Sequence, residues 1–173
     1  MHPARLISIA LLAALTGCGY HQAGSAVHLP SAMHSLAVPT FENDTQSYHT
    51  EIAFTQAVVR EFTSRTAYSI VAADKADNAD AVVHGQIVKF DILPLTYNSK
   101  TGQSSSFLIT IAAHVSVTDR AHRVLYKNDG YVFRQQYQTT QDLTSFIQED
   151  PAAVRRLSRD FAQSLVSDIL ESF

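Results

Sequence analysis

The chain has 173 residues, one cysteine, and 13 Lys and Arg against 16 Asp and Glu, for a net charge of −3. That balance excludes a nucleic-acid binder by bulk charge. A lone cysteine excludes a disulfide framework and a Cys-rich metal site, and the length suits one ordinary domain.

The first element is an export signal. Arg5 gives a positive start, Leu6 to Leu15 an apolar run, and Thr16 and Gly17 a small-residue exit. The run is too short for a permanent membrane span, and no later run is long enough to be one. Leu15-Thr16-Gly17-Cys18 resembles the lipobox of bacterial lipoproteins, in which the cysteine thiol carries a diacylglyceryl thioether. Small neighbours let the backbone fit the peptidase. Each buried CH₂ adds about 0.8 kcal/mol of membrane affinity, so a multiply acylated Cys18 is a firm anchor. Gly19, in place of an aspartate, favours the outer membrane. The expected division is residues 1–17 as signal peptide, 18–34 as lipidated N-terminus and tether, and 35–173 as a single domain. Cleavage removes Arg5 and no acid, leaving 12 bases against 16 acids and a net charge of −4.

Gly19 to His34 mixes small, polar and proline residues without a period and reads as the tether. Ser35 to Pro39 is short and apolar, a buried strand. The turn-rich FENDTQS follows. Tyr48 to Arg65 then reads as a helix, with Ile52, Phe54, Ala57, Val58 and Phe62 at helical spacing. Ala67 to Ala72 is a second strand, and strand, helix, strand in that order predicts a parallel crossover.

Asp74 to Asp80 reads as a solvated turn. Ala81 to Ile92 is a third strand and Phe107 to Thr118 a fourth. In the fourth, Phe107, Ile109, Ile111, Ala113, Val115 and Val117 share one face, and Leu108, Thr110, Ala112, His114, Ser116 and Thr118 the other. Between them Leu93 to Ser106 reads as a long, polar hairpin loop. Arg123 to Tyr137 is a fifth strand region, interrupted by Asn128-Asp129-Gly130. That interruption is either a tight turn or a bulge, and the bulge is favoured.

The last element opens on Asp150-Pro151, a cap residue and a proline at the first helical position. Val154, Leu157, Phe161, Leu165 and Ile169 then recur every three or four residues, with most charges off that stripe. Such a stripe packs on a sheet. The predicted fold is an α/β (α+β) two-layer sandwich: two helices on one face of a mixed sheet of four or five strands. The second sheet face is left for a partner or ligand.

No G-x-S-x-G, H-E-x-x-H, P-loop or G-x-G-x-x-G is present, which argues against an enzyme and gives no catalytic residue and no cofactor. His84 and His114 lie on strands that pair in this scheme, so their rings are candidates to meet across the ladder. A metal site needs three or four ligands, and none joins them, so no metal is expected.

Several stretches together resemble one family. They are Cys18-Gly19-Tyr20-His21, Leu29-Pro30, and the run Leu36 to Asn43 (LAVPTFEN), with Ala79-Asp80 opening a strand and Gly85 within it. The resemblance is to the LptE family of lipopolysaccharide-assembly lipoproteins and extends over most of the chain. It implies an outer-membrane, periplasm-facing lipoprotein, not an enzyme. Such a protein plugs an LptD-like β-barrel, supports its assembly, and assists lipopolysaccharide transport to the outer leaflet. Its partners would be that barrel, lipopolysaccharide, and the membrane through lipidated Cys18, with no nucleic acid. Some members carry a basic residue before Asn-Gly-Gln ahead of the fourth strand. Lys100-Thr101-Gly102-Gln103 stands at that place, so Lys100 is the lipopolysaccharide-contact residue carried over. Where members have a second basic residue before the last helix, this chain has Gln148-Glu149-Asp150. The alternative is an outer-membrane lipoprotein activator of a periplasmic peptidoglycan synthase, which usually needs a longer tether. Gly19 to His34 reaches at most about 55 Å fully extended, and this favours a partner close to the membrane.

Overall fold

The computed structural model describes residues 33–47, 50–97, 104–138 and 151–172. In chain order these form β1 (Ser35–Ala37), β2 (Glu42–Asn43), α1 (Thr50–Arg65), β3 (Ser69–Val71), a 3₁₀ segment (Ala73–Asn78), β4 (Ala81–Tyr97), β5 (Ser104–Asp119), β6 (Val124–Gln138) and α2 (Pro151–Glu171). The strands make one mixed sheet in the order β3-β1-β4-β5-β6, with β2 paired to β4. β1 runs parallel to both β3 and β4, as the strand-helix-strand order predicts. β4, β5 and β6 form an antiparallel meander.

Both helices cover one sheet face. Every residue of the predicted inner face of β5, from Phe107 to Val117, is buried against them. From α2 the core receives Leu157, Phe161, Leu165 and Ile169, the predicted stripe, with Ala162 and Val166 beside it. Phe161 is the hub. Its ring centroid lies 4.9 Å from that of Phe54, and Tyr131 and Phe133 meet it edge-on at 5.7 and 5.9 Å. Edge-to-face pairs of this kind add to the area each ring buries. Two tyrosines of β6 pin α2 by their hydroxyls: Tyr126 donates to Asp168 at 2.6 Å and Tyr137 to Asp160 at 2.8 Å. Burial, aided by Asp168, pushes the Tyr126 phenol up to about 12. Tyr137 is raised for the same reasons, with Asp160 as its carboxylate.

Bulges reconcile the strand sequences with one buried face. In β4 the inner residues are Val83, Gly85 and Ile87, then Phe90 and Ile92, because Val88 is an extra residue between Ile87 and Lys89 opposite Ala113 and Ala112. In β6 the pairs Ala113–Tyr131 and Val115–Asn128 leave one residue over at Asn128-Asp129-Gly130. The bulge reading of that tripeptide therefore holds. Each inserted residue turns the following side chains to the opposite face, so Tyr126 and Tyr131 can both face the helices.

Four expectations change. Leu93 to Ser106 is mostly strand: β4 continues to Tyr97 and β5 begins at Ser104, so only residues 98–103, outside the described part, separate them. Two strands in register keep pairing as long as both supply backbone groups, and polar side chains do not stop them. Ile52 is exposed, and Thr55 is buried in its place through hydrogen bonds to backbone. Asp74 and Asp77 sit in an exposed 3₁₀ segment, but Asp80 is not simply solvated. The two-residue β2 adds a sixth strand to the four or five predicted.

Candidate functional site

The stretch Pro39 to Asn43 is a folding device. Pro39 has no N–H for a ladder and follows the end of β1. The Phe41 N–H donates to Thr55 Oγ1 at 2.9 Å, and the Thr55 hydroxyl donates to Glu51 O at 2.7 Å. The buried Phe41 ring lies flat over Gly85, where a Cβ would stand 2.7 Å from its carbons. Glycine at 85 is thus a matter of space. Asn43 Oδ1 accepts from the Thr45 N–H at 2.9 Å and the Thr45 hydroxyl at 2.7 Å, while Nδ2 donates to Ser47 O and Glu51 Oε2. One amide therefore folds the FENDTQS turn and fastens it to α1.

Asp80 fixes the start of the domain. Its Oδ2 accepts from the N–H groups of His34 and Ser35, each at 3.0 Å, and from the Ser35 hydroxyl at 2.8 Å. The Asp80 N–H returns a bond to Ser35 Oγ at 2.9 Å, and Arg120 reaches Oδ1 at 3.3 Å. The His34 N–H, then the Ser35 hydroxyl, hold the Asp80 carboxyl below the usual carboxylate range. One side chain thus joins the entry to β1, the start of β4 and the β5–β6 turn. In that turn His122 has φ 58°, and Asp119 accepts from the N–H groups of Ala121 and Arg123. An acid right after a buried alanine and before a strand is a weak signal, and three acids at regular spacing hid it.

The sheet face away from the helices has no described element across it. A shallow cavity of about 260 Å³ lies there, bordered by Glu42, His84, Gln86, His114, Ser116 and Lys127. His84 pairs with Ser116 and Gln86 with His114, so the two histidines are diagonal neighbours on paired strands. Their rings part, however: His84 Nε2 lies 3.4 Å from Thr118 Oγ1, on the side away from His114. Among the described residues no three His, Cys, Asp or Glu side chains gather as a metal site. Lys127 pairs with Asp129 and Lys89 with Asp91, each exposed. The surface offers alternating donors and acceptors to a polar partner.

Toward the far end of the hairpin the surface turns apolar. Leu93 is 57 %, Leu95 42 % and Tyr97 63 % exposed. Lys100 lies outside the described residues, as do Cys18 and the tether up to residue 32. Among the described residues, no helix is long and apolar enough to cross a membrane.

The sequence pattern of the family described as "LptE: Lipopolysaccharide-assembly" matches residues 33–169. The chain belongs to the LptE family. The match begins at the residues that Asp80 grips and ends in the last turn of α2, so it spans every strand and both helices. Within LptE terms, the opening motif proves to be scaffold: Phe41, Asn43 and Gly85 are committed to packing and to the turn.

Solved structures agree on the fold. The hypothetical protein CT253 from Chlamydia trachomatis superposes with a TM-score of 0.55 at 11% identity, covering 80% of this chain and 96% of that one. Protein XCC0632 from Xanthomonas campestris gives a TM-score of 0.51 at 17% identity, covering 79% of this chain and 84% of that one. No curated protein matches the chain in sequence.

Proposed function

We propose that this LptE-family protein is an outer-membrane lipoprotein, anchored by lipidated Cys18, that plugs an LptD-like β-barrel. It would support the folding of that barrel and assist lipopolysaccharide on its way to the outer leaflet, without chemistry of its own. Residues 1–17 are its signal peptide and residues 35–173 its single domain. The observation that carries this reading is the family match across the whole fold. The polar sheet face, with no described element across it, suits a body seated in a polar barrel interior. Asp80 holds residues 34 and 35 against the sheet, so a tether would leave from a fixed point. Lys100, three residues beyond exposed Tyr97 in sequence, supplies a cation for lipopolysaccharide phosphates.

Affinity purification of the tagged protein from detergent-solubilised outer membrane tests the reading. A large β-barrel should co-elute in equal amount. Its absence sinks the plug role, and a peptidoglycan synthase in its place identifies an activator instead. Replacing Cys18 with Ser should release the protein from the membrane fraction. Lys100→Ala should weaken lipopolysaccharide binding, and unchanged affinity removes Lys100 from the site.

A further inference from the structure

β1 joins the sheet through little backbone. It meets β4 at two positions, Leu36–Ala81 and Ala37–Val82, and β3 at three, Ser35–Ser69 to Ala37–Val71. Among the described residues β3 has no other strand beside it, and its Ser69 N–H donates to His34 O at 2.9 Å. β3 therefore depends on β1. The rest of the sheet is different: β4, β5 and β6 pair along most of their length.

The Asp80 carboxylate makes up for the short ladders. Its Oδ2 accepts three hydrogen bonds from two consecutive residues, the His34 and Ser35 N–H groups and the Ser35 hydroxyl. Asp80 is itself held from the meander side. Its carbonyl accepts from the Arg120 N–H at 3.2 Å. The Arg120 guanidinium donates to Asn78 O at 2.7 Å and reaches Asp80 Oδ1 at 3.3 Å. Asp119 stiffens the same turn through the N–H groups of Ala121 and Arg123 and the Arg123 guanidinium. So the gripping group is fixed to β4 and the β5–β6 turn, and what it grips belongs to the entering chain. Past β1 that chain is held again at Phe41, by its N–H on Thr55 Oγ1 and its ring over Gly85.

We propose that Asp80 is a latch: when its carboxylate lets go of His34 and Ser35, β1 leaves β4 and takes β3 with it, as one opening unit that stops at Phe41 and leaves the β4–β6 meander folded under α2. Leu36, Ala37 and Val38 are buried, so the open state exposes apolar surface and is a minor one. It costs less than global unfolding, because it breaks short ladders and spares the cluster around Phe161. A pull on the entering chain acts on this unit first. Where the chain is anchored through Cys18, opening lengthens the tether by at most about 3.5 Å for each residue freed. That role rests on the anchor proposed above; the latch does not.

The test uses residues 18–173 made without the signal segment, so that Cys18 keeps its thiol. In native-state hydrogen exchange the amides of β1 and β3 should exchange faster than those of β5 and respond less steeply to denaturant. Asp80→Asn should speed the β1 and β3 amides by about fivefold or more, and Ser35→Ala by a smaller factor. Tyr126→Phe, at the β6–α2 contact, should speed β5 exchange and leave β1 and β3 as they were. A common rate and denaturant slope for all strands, or β1 and β3 rates unmoved by Asp80→Asn and Ser35→Ala, overturns the latch. Pulling between Cys18 and a second cysteine, Lys127→Cys, should give a short extension step before the main rupture, and Asp80→Asn should lower the force of that step alone. A single rupture overturns release under load. Whether Cys18→Ser leaves the membrane fraction decides the anchor and has no bearing on the exchange pattern.

Discussion

The two faces of β5 share one backbone and differ in what they tolerate. On the helix side, Phe107 to Val117 are at most 2 % exposed and pack into a continuous core. On the other side, Thr110, His114 and Ser116 meet solvent or polar neighbours, and the cavity beside them is shallow. The inner face is fixed by packing, where a lost methylene is felt. The outer face is left free for whatever lies across it.

Substitutions that load the two faces unequally test that difference. The largest effect is expected at Phe161, which touches Phe54, Tyr131 and Phe133. Phe161→Ala should cost about 3–5 kcal/mol in denaturant unfolding. A loss under half that would mean α2 is not the main cover of the sheet. Gly85→Ala should cost about 1–3 kcal/mol by overpacking against Phe41, and Phe41→Leu in the same chain should recover part of it. Recovery by the double variant separates the steric account from a backbone one.

Smaller effects depend on pH. Asp80 has a depressed carboxyl, so its contribution is complete above the ordinary carboxylate range and is lost as pH falls through the lower, folded value. Asp80→Asn should be less stable than the parent at neutral pH, and their melting curves should converge in acid. A constant gap at every pH would assign the effect to shape. Tyr126 has the opposite sense: its stabilisation is complete below the free phenol value near 10 and is lost as pH rises toward about 12. Ultraviolet titration should show one late-ionising tyrosine disappear in Tyr126→Phe. The smallest change belongs to the outer face, where His114→Ala should shift stability by no more than about 0.5 kcal/mol. A larger loss there would mean that face is packed after all.

Much of the fold was legible in the chain. The alternation of β5, the stripe of α2 and the strand-helix-strand order each depend on side chains two to four positions apart, and local period reports them faithfully. The family was legible too, from LAVPTFEN and the residues around it. The candidate site was less so. Phe41 and Asn43 stand in the sequence only as part of the motif that carries the family resemblance, and their hydrogen bonds and packing show them to be structural. Ile52 fits a helical stripe yet is exposed, because Thr55 replaces it by bonding backbone on both sides.

The sequence by itself determined which residues seek burial and which elements they form, since those preferences act between near neighbours. Only the tertiary structure decided that β6 is the last strand of the sheet, that Val88 and Asn128-Asp129-Gly130 reverse the facing of their strands, and that Asp80 holds Ser35. Asp80 and Ser35 are 45 positions apart. A contact at that separation exists only when the whole sheet has formed, and no local pattern encodes it.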